Sequence, residues 1–276
     1  MGLRIGTNVA SISARRNLSK ATSALQRNFE HLSTGKRIAR AADDAAGLGI
    51  SARFRAEIRG LGAASRNAND GISMVQTAEG ALGEVEGSLI RMRELAVQAS
   101  NGTLSTSDQD TLQQEFAELQ STVNQIANTT DFNGTQLLNS GAGSVSLQIG
   151  TGTTANDSVS VSLTDVTTGA TGLNIATLDI GSTGDTSAAM ASLDTALTTV
   201  TDARAQFGAS QNRLEATVSN LAIKIESFSA ANSRIQDVDV AFETAELTKN
   251  SIMQQAAISI LAQANLQPSS ALSLIG

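Results

Sequence analysis

Few side chains in this sequence could do chemistry. His31 is the single histidine among 276 residues, and the chain has no cysteine. Cysteine-based zinc sites, thiol nucleophiles and metal sites that need two histidines are therefore excluded. A Ser-His-Asp triad would have to be built on His31. The sequence thus offers little material for an active site.

Two short motifs match fragments of enzyme sites, and local structure explains both better. Ser33-Thr-Gly-Lys36 fits the S-x-x-K pattern of penicillin-recognising enzymes, but the Ser-Asp-Asn and Lys-Thr-Gly motifs that accompany it are absent. Asp43 and Asp44 are adjacent, and adjacent residues of a helix do not face each other. Placed just before Ala-Ala-Gly-Leu, they are typical of an N-cap and a first-turn acid. We therefore predict that the protein is not an enzyme and uses no cofactor or metal.

Charge is distributed unevenly along the chain. Residues 1–42 carry eight Lys or Arg and one acid, whereas residues 94–203 carry twelve acids and no Lys or Arg. A basic N-terminal segment could bind nucleic acid or an anionic membrane, or could pack beside the acidic part of the chain. Its cations are interleaved with a helical apolar stripe, which favours packing. We expect no nucleic-acid partner, and the lack of a long apolar run predicts no membrane insertion.

Apolar side chains recur at helical spacing over most of the chain. Residues 1–33 form an amphipathic stripe that stops at Gly35, a typical helix C-cap. From residue 44 to 100, two heptad frames joined by a three-residue step predict a long coiled-coil helix, which should end at Asn101-Gly102. A third helix should begin at an N-cap formed by Ser105 or Ser107.

The middle of the chain changes character before helical spacing returns. Alternating runs at 145–149 and 159–163 predict a β-hairpin, and the run at 173–180 predicts one more strand. Residues 188–233 then carry the most regular heptad of the chain. Its seam consists of Leu193, Val200, Phe207, Leu214, Leu221 and Phe228, with the polar residues Arg204 and Gln211 at two intervening positions.

The last predicted helix, residues 241–266, is apolar on several faces and should be closed by Pro268. A helix that is apolar all round must be covered by a partner. The two terminal segments have little core of their own, so we expect them to bury apolar surface against other copies of the chain. The residues expected to do so are Leu18, Leu25, Phe29 and Leu32 near the start, and Ile252, Ala256, Ile260, Leu261, Leu272, Leu274 and Ile275 near the end.

Several motifs together resemble those of bacterial flagellin, over the whole chain. They are Asp43-Asp44-Ala-Ala-Gly-Leu48, Asn69-Asp-Gly-Ile-Ser-Met-Val-Gln-Thr-Ala-Glu-Gly-Ala-Leu82, Arg91-Met-Arg-Glu-Leu-Ala-Val-Gln-Ala-Ser-Asn101, Phe132-Asn-Gly134 and Ile260-Leu-Ala-Gln-Ala-Asn265. Each motif is short, and the combination is highly specific.

The resemblance implies a mainly α fold, with long helices in a coiled-coil, rod-like bundle and a small β-hairpin region at about 140–182. It implies an inner coiled-coil domain that combines residues 1–42 with residues 234–276 and lines the filament channel. Residues 43–233 would form the neighbouring rod-shaped domain. Larger flagellins carry outer variable domains, for which this chain has no room.

The function implied by the resemblance is that of a structural subunit, which is exported unfolded through the flagellar type III apparatus. Such subunits self-assemble into the extracellular flagellar filament that drives motility. The expected partners are other copies of the chain, the flagellar export chaperone at the C-terminal helix, and the filament cap and hook-junction proteins.

A host partner is also implied. Arg91, Leu95, Gln98 and Glu115 match the positions at which flagellins contact the flagellin-sensing Toll-like receptor, so the resemblance implies that this innate immune receptor recognises the monomer. The alternative for these residues is a role in filament packing alone. For the whole protein, the alternatives are a hook–filament junction protein, which shares the terminal helices, and a coiled-coil adhesin or scaffold.

Overall fold

In a computed structural model of the chain, residues 7–139 and 143–272 are described, the last six of them by their backbone alone. The described part is mainly helical with two small antiparallel sheets, which confirms the predicted fold class. Its α-helices are α1 (Val9–Thr34), α2 (Ala45–Ala99), α3 (Thr106–Thr129), α4 (Thr186–Gln236) and α5 (Val240–Leu272).

The ends of the helices follow the predicted capping residues. Gly35 ends α1 in the left-handed conformation at φ 68°, which glycine adopts without steric cost. Asp44 accepts a hydrogen bond from the backbone N–H of Gly47 (2.8 Å), as an N-cap of α2 does. Ser105 caps α3 and forms a reciprocal capping box with Asp108. These three predictions are confirmed.

The β-structure consists of two hairpins. Strands β1 (Asp131–Phe132) and β2 (Thr135–Gln136) are joined by Asn133 and Gly134, both at positive φ, as a tight two-residue hairpin requires. Strands β3 (Ser144–Gln148) and β4 (Ser158–Ser162) pair antiparallel from Ser144 opposite Ser162 to Gln148 opposite Ser158. The second hairpin confirms the one predicted from alternation.

The strand predicted at residues 173–180 is wrong. This segment forms turns whose backbone N–H groups bond locally: those of Leu173 and Ile175 donate to the carbonyls of Thr167 and Thr168. Its apolar side chains alternate because they enter the core between turns, and the side chain of Ile175 is fully buried. Alternation alone does not distinguish this arrangement from a strand.

The prediction that Pro268 closes the last helix is also wrong, because α5 continues to Leu272. Proline has no N–H, so it leaves the carbonyl of the residue four positions earlier without its helical partner. That carbonyl belongs to Ala264, and the side-chain amide of Asn8 donates to it at 2.8 Å. A side chain from the start of α1 therefore replaces the missing bond.

The described residues fall into two compact units, and α2 and α4 contribute residues to both. The first unit contains residues up to 58 and from 227 onward, and the second contains residues 59–226. The expected domain boundaries at 42/43 and 233/234 stay predictions.

In the second unit the heptad residues of α4 from Leu193 to Leu221 are buried, as their spacing predicts. Leu193, Val200 and Phe207 belong to a large apolar core with residues of α2 and α3, and Leu214 belongs to a smaller one with residues of α2 and β4.

Candidate assembly surface

The first unit pairs α1 with α5 through small side chains. The buried apolar residues of this pair are Ala14 and Ala21 of α1, and Ala257 and Ala264 of α5. Alanine removes little apolar area from water, so this seam contributes less stability than one built on leucine or phenylalanine. The pairing therefore brings the two helices close together at a small gain in free energy.

Many large apolar side chains of the same two helices are exposed to solvent. Ile260 is 58% exposed and Phe242 64% exposed, values typical of a surface residue. The exposed large apolar residues of the pair are Val9, Ile12, Phe29, Val240, Phe242, Ile252, Met253, Ile258, Ile260 and Leu266. A surface with so many apolar side chains is unusual for a monomer and marks an interaction site.

The predicted assembly residues differ in their exposure to solvent. Phe29, Ile252, Ala256 and Ile260 are exposed. Leu18, Leu25, Leu32 and Leu261 are half-buried. The side chain of Leu272 is not described, and Leu274 and Ile275 lie outside the described residues.

A groove of about 720 Å³ lies between the two helices. Alanines of both helices line it together with Met253 and Ile260, and so do the cations Lys20 and Arg27 and several asparagines and serines. Its lining offers apolar surface to an incoming helix.

Among residues 7–139 and 143–272, no helix combines the length and apolarity needed to cross a bilayer.

A buried polar cluster interrupts the small-residue seam. Glu243 of α5 is 8% exposed and accepts a hydrogen bond from the Asn28 side-chain amide of α1 at 2.6 Å. Nδ1 of His31 lies 3.2 Å from the same carboxylate oxygen. Asn250 donates to Asn28 at 2.9 Å. These bonds join α1 to α5 and leave the buried polar groups paired, which favours this alignment of the two helices.

Asp43 lies at the edge of this cluster, with its carboxylate 4.0 Å from Nε2 of His31. The backbone N–H groups of Arg40 and Ala39 donate to it, and the first of these is the main reason that its pKa is lowered. Of the N-cap and first-turn acid predicted for Asp43 and Asp44, only the N-cap is present: Asp44 caps α2, no acid lies in its first turn, and Asp43 caps the preceding turn instead.

The predicted receptor residues lie in the second unit. Arg91 forms ion pairs with Glu115 of α3 (2.7 Å) and with Glu94 (3.1 Å), and the hydrogen bond with Glu115 is the main cause of its raised pKa. Gln98 is exposed on the same helix as Arg91. Leu95 is only 1% exposed and belongs to the core. The structure thus brings Arg91 and Glu115 together at the surface and gives Leu95 a packing role.

Comparison with known proteins identifies the family. The model of the bacterial flagellin N-terminal helical region matches residues 5–142, and that of the C-terminal helical region matches residues 190–275. A flagellin of Halalkalibacterium halodurans is 45% identical over 98% of this chain and 99% of its own. The chain belongs to the bacterial flagellin family. It is a short member, because only residues 143–189 lie between the two matched regions.

A second similar sequence and a similar crystal structure agree with this assignment. The flagellar filament 30.7 kDa core protein of Treponema maltophilum is 39% identical, over 98% of this chain and 99% of its own. The crystal structure of Bacillus cereus flagellin aligns with a TM-score of 0.50 and 31% identity, over 56% of this chain and 88% of that one. Flagellins are structural proteins that self-assemble into the extracellular flagellar filament, and this chain is such a subunit.

Sequence reasoning missed two features of the first unit. It assigned no role to Asn8, although Asn before an amphipathic stripe is a recognisable N-cap signal. It also did not find the buried cluster around Glu243, because its members come from opposite ends of the chain and no local pattern joins them.

Proposed function

We propose that the α1–α5 surface is where copies of this flagellin bury apolar side chains against each other as the filament polymerises. The observation that carries the proposal is the inverted distribution of side chains, with alanines inside the pair and isoleucine and phenylalanine outside. A fully buried side chain of that size contributes about 1.5–3 kcal/mol. Only association with other copies can supply that burial in a filament of identical subunits.

The test uses two isoleucines with matched exposure. Ile260 is 58% exposed on α5, and Ile223 is 60% exposed on α4, in the second unit. Ile260→Gln should raise the critical concentration for seeded polymerisation about tenfold or more, as a loss of about 1.4 kcal/mol or more requires. Ile223→Gln should change it little. Normal assembly of Ile260→Gln, measured by sedimentation and electron microscopy, would show that this face is not the polymerisation surface.

The family resemblance supports finer assignments. Residues 1–42 and 234–276 would form the inner coiled-coil domain that lines the channel, and 43–233 the rod-shaped domain around it. Before assembly, the apolar faces of α5 would be covered by the export chaperone, and the filament cap and hook-junction proteins would meet the ends of the filament. Removal of residues 234–276 should abolish polymerisation and chaperone binding while residues 59–226 keep their helical circular dichroism.

A second candidate function concerns recognition of the monomer by the flagellin-sensing Toll-like receptor. The observation that supports it is the exposed ion pair of Arg91 and Glu115, two of the residues that match the receptor-contact positions of the family. Arg93 provides a matched control, since it forms a similar exposed ion pair with Asp194 (2.6 Å). In a receptor reporter assay, Arg91→Ala should weaken the response to the monomer and Arg93→Ala should not. Equal responses from the wild type and Arg91→Ala would refute this assignment.

A further inference from the structure

The backbone carbonyl of Ala264 has no helical hydrogen-bond donor, because the residue four positions later is Pro268. In an α-helix the N–H of residue 268 would donate to it, and proline carries no such hydrogen. Ala264 is 6% exposed, so water has little access to its backbone. A shielded carbonyl without a donor is costly and is rare in folded proteins. Continuation of α5 to Leu272 therefore depends on a donor from elsewhere in the chain.

Asn8 is that donor, and it has a second role at the same time. Its Nδ2 donates to the Ala264 carbonyl at 2.8 Å, while its Oδ1 accepts from the backbone N–H of Ser11 at 3.0 Å as the N-cap of α1. The neighbouring hydroxyl of Ser11 donates to Oδ1 of Asn265 at 2.9 Å. An asparagine amide combines an acceptor and a donor in this geometry, whereas aspartate could cap α1 but could not donate.

We propose that Asn8 is a positioning residue for assembly. It supplies the hydrogen bond that the proline removes, and α5 can therefore continue beyond Pro268. It thereby makes the end of α5 and the beginning of α1 order together. The inference rests on the proposed role of the α1–α5 surface in polymerisation. It adds that a residue at one end of the chain controls the helicity of the other, 256 positions away.

The test separates the role of the Asn8 amide as a donor to the Ala264 carbonyl from its role as the N-cap of α1. Asn8→Asp keeps an N-cap acceptor and loses the donor, and Pro268→Ala returns a backbone N–H to the Ala264 carbonyl. In the wild-type background, Asn8→Asp should raise the critical concentration for seeded polymerisation about tenfold. In the Pro268→Ala background the same change should raise it less than about threefold, because the carbonyl no longer needs Asn8. Thr7→Asp adds the same charge one residue earlier and should act equally in both backgrounds.

Hydrogen exchange provides a second readout that a general loss of stability would not reproduce. In assembled filaments, Asn8→Asp should accelerate exchange of the amides of residues 266–272 in the wild-type background only. If Pro268→Ala does not assemble, Pro268→Ser restores the same N–H and takes its place in the comparison.

Two results would overturn the inference: an equal effect of Asn8→Asp in both backgrounds, and no effect in either. Failure of the proposed function is distinguishable from both. If Ile260→Gln polymerises like the wild type, the α1–α5 surface is not the polymerisation surface, whatever Asn8 does. If Ile260→Gln is defective and Asn8→Asp shows no dependence on residue 268, only the role of Asn8 is refuted.

Discussion

The side-chain amide of Gln120 holds the segment that replaces the predicted third strand. Its Nε2 donates to the carbonyl of Ile175 at 2.6 Å and to that of Leu178 at 3.2 Å. Gln120→Glu has nearly the same shape but removes both donors and faces the two carbonyls with a carboxylate. The change should therefore detach the 173–180 segment from α3 without creating a cavity.

The cost follows from the bonds that are lost. Each hydrogen bond contributes about 0.5–1.5 kcal/mol net, so the pair contributes about 1–3 kcal/mol to the free energy of unfolding. For a unit of about 150–250 residues, each kcal/mol corresponds to about 2–4 °C in melting temperature. At about 2 kcal/mol, the melting temperature of the second unit should fall by about 4–8 °C, as measured by circular dichroism and calorimetry at about pH 7.

The pH dependence of this variant gives a sharper check than its melting temperature alone. Below the ordinary glutamic acid pKa of about 4.3, a protonated carboxyl regains one O–H donor. The difference in stability between wild type and Gln120→Glu should therefore shrink as the pH falls toward about 4. Gln114, exposed on the same helix, provides the control, since Gln114→Glu adds the same charge without removing a bond to this segment. Equal destabilisation by the two variants would refute the role of the amide as a donor.

Two further predictions concern charged residues. The pKa of Asp43 is lowered, mainly by the backbone N–H of Arg40, so its carboxylate contributes stability that is present above the unfolded-state pKa and lost as the pH falls through the lower folded-state value. Asp43→Asn should remove this acid-side loss, as measured by hydrogen exchange of the 36–44 segment between about pH 5 and 2. Arg204, which forms ion pairs with Glu86 and with Glu79 (3.7 Å), is itself partly exposed. Arg204→Met should therefore change the free energy of urea unfolding by less than about 1 kcal/mol, and a loss above about 3 kcal/mol would show that the ion pairs behave as buried ones.

Local signals predicted most of the helices and the larger hairpin. The caps at Gly35, Asp44 and Ser105 lie within a few residues of the backbone groups that they serve, so their spacing in the sequence carries the information. The β3–β4 hairpin follows from alternation in two neighbouring runs. In each case, the residues that decide the structure are close together in the chain.

Two of the wrong predictions, the strand at 173–180 and the helix end at Pro268, fail because the partners are distant in sequence. The segment around Ile175 has strand-like alternation, but its carbonyls are bonded by Gln120 and its N–H groups by a nearby turn. Pro268 is a valid stop signal by local rules, and Asn8 overrides it from the other end of the chain. Side-chain amides that replace backbone donors have no periodicity, so pattern analysis does not detect them.

The composition of the α1–α5 seam explains how weak intramolecular pairing and strong assembly coexist in one chain. Alanines allow the helices to approach closely but bury little area, so the pair gains little free energy by itself. The cluster of Asn28, His31, Glu243 and Asn250 adds register more than stability, since buried polar groups repay about what their desolvation costs. Leucines such as Leu18 and Leu261 are only half-buried, and isoleucines and phenylalanines such as Ile260 and Phe242 are left exposed, where other copies of the chain can bury them. A leucine-rich seam would reverse this balance, because the subunit would then be stable before assembly and would gain less free energy from joining the filament.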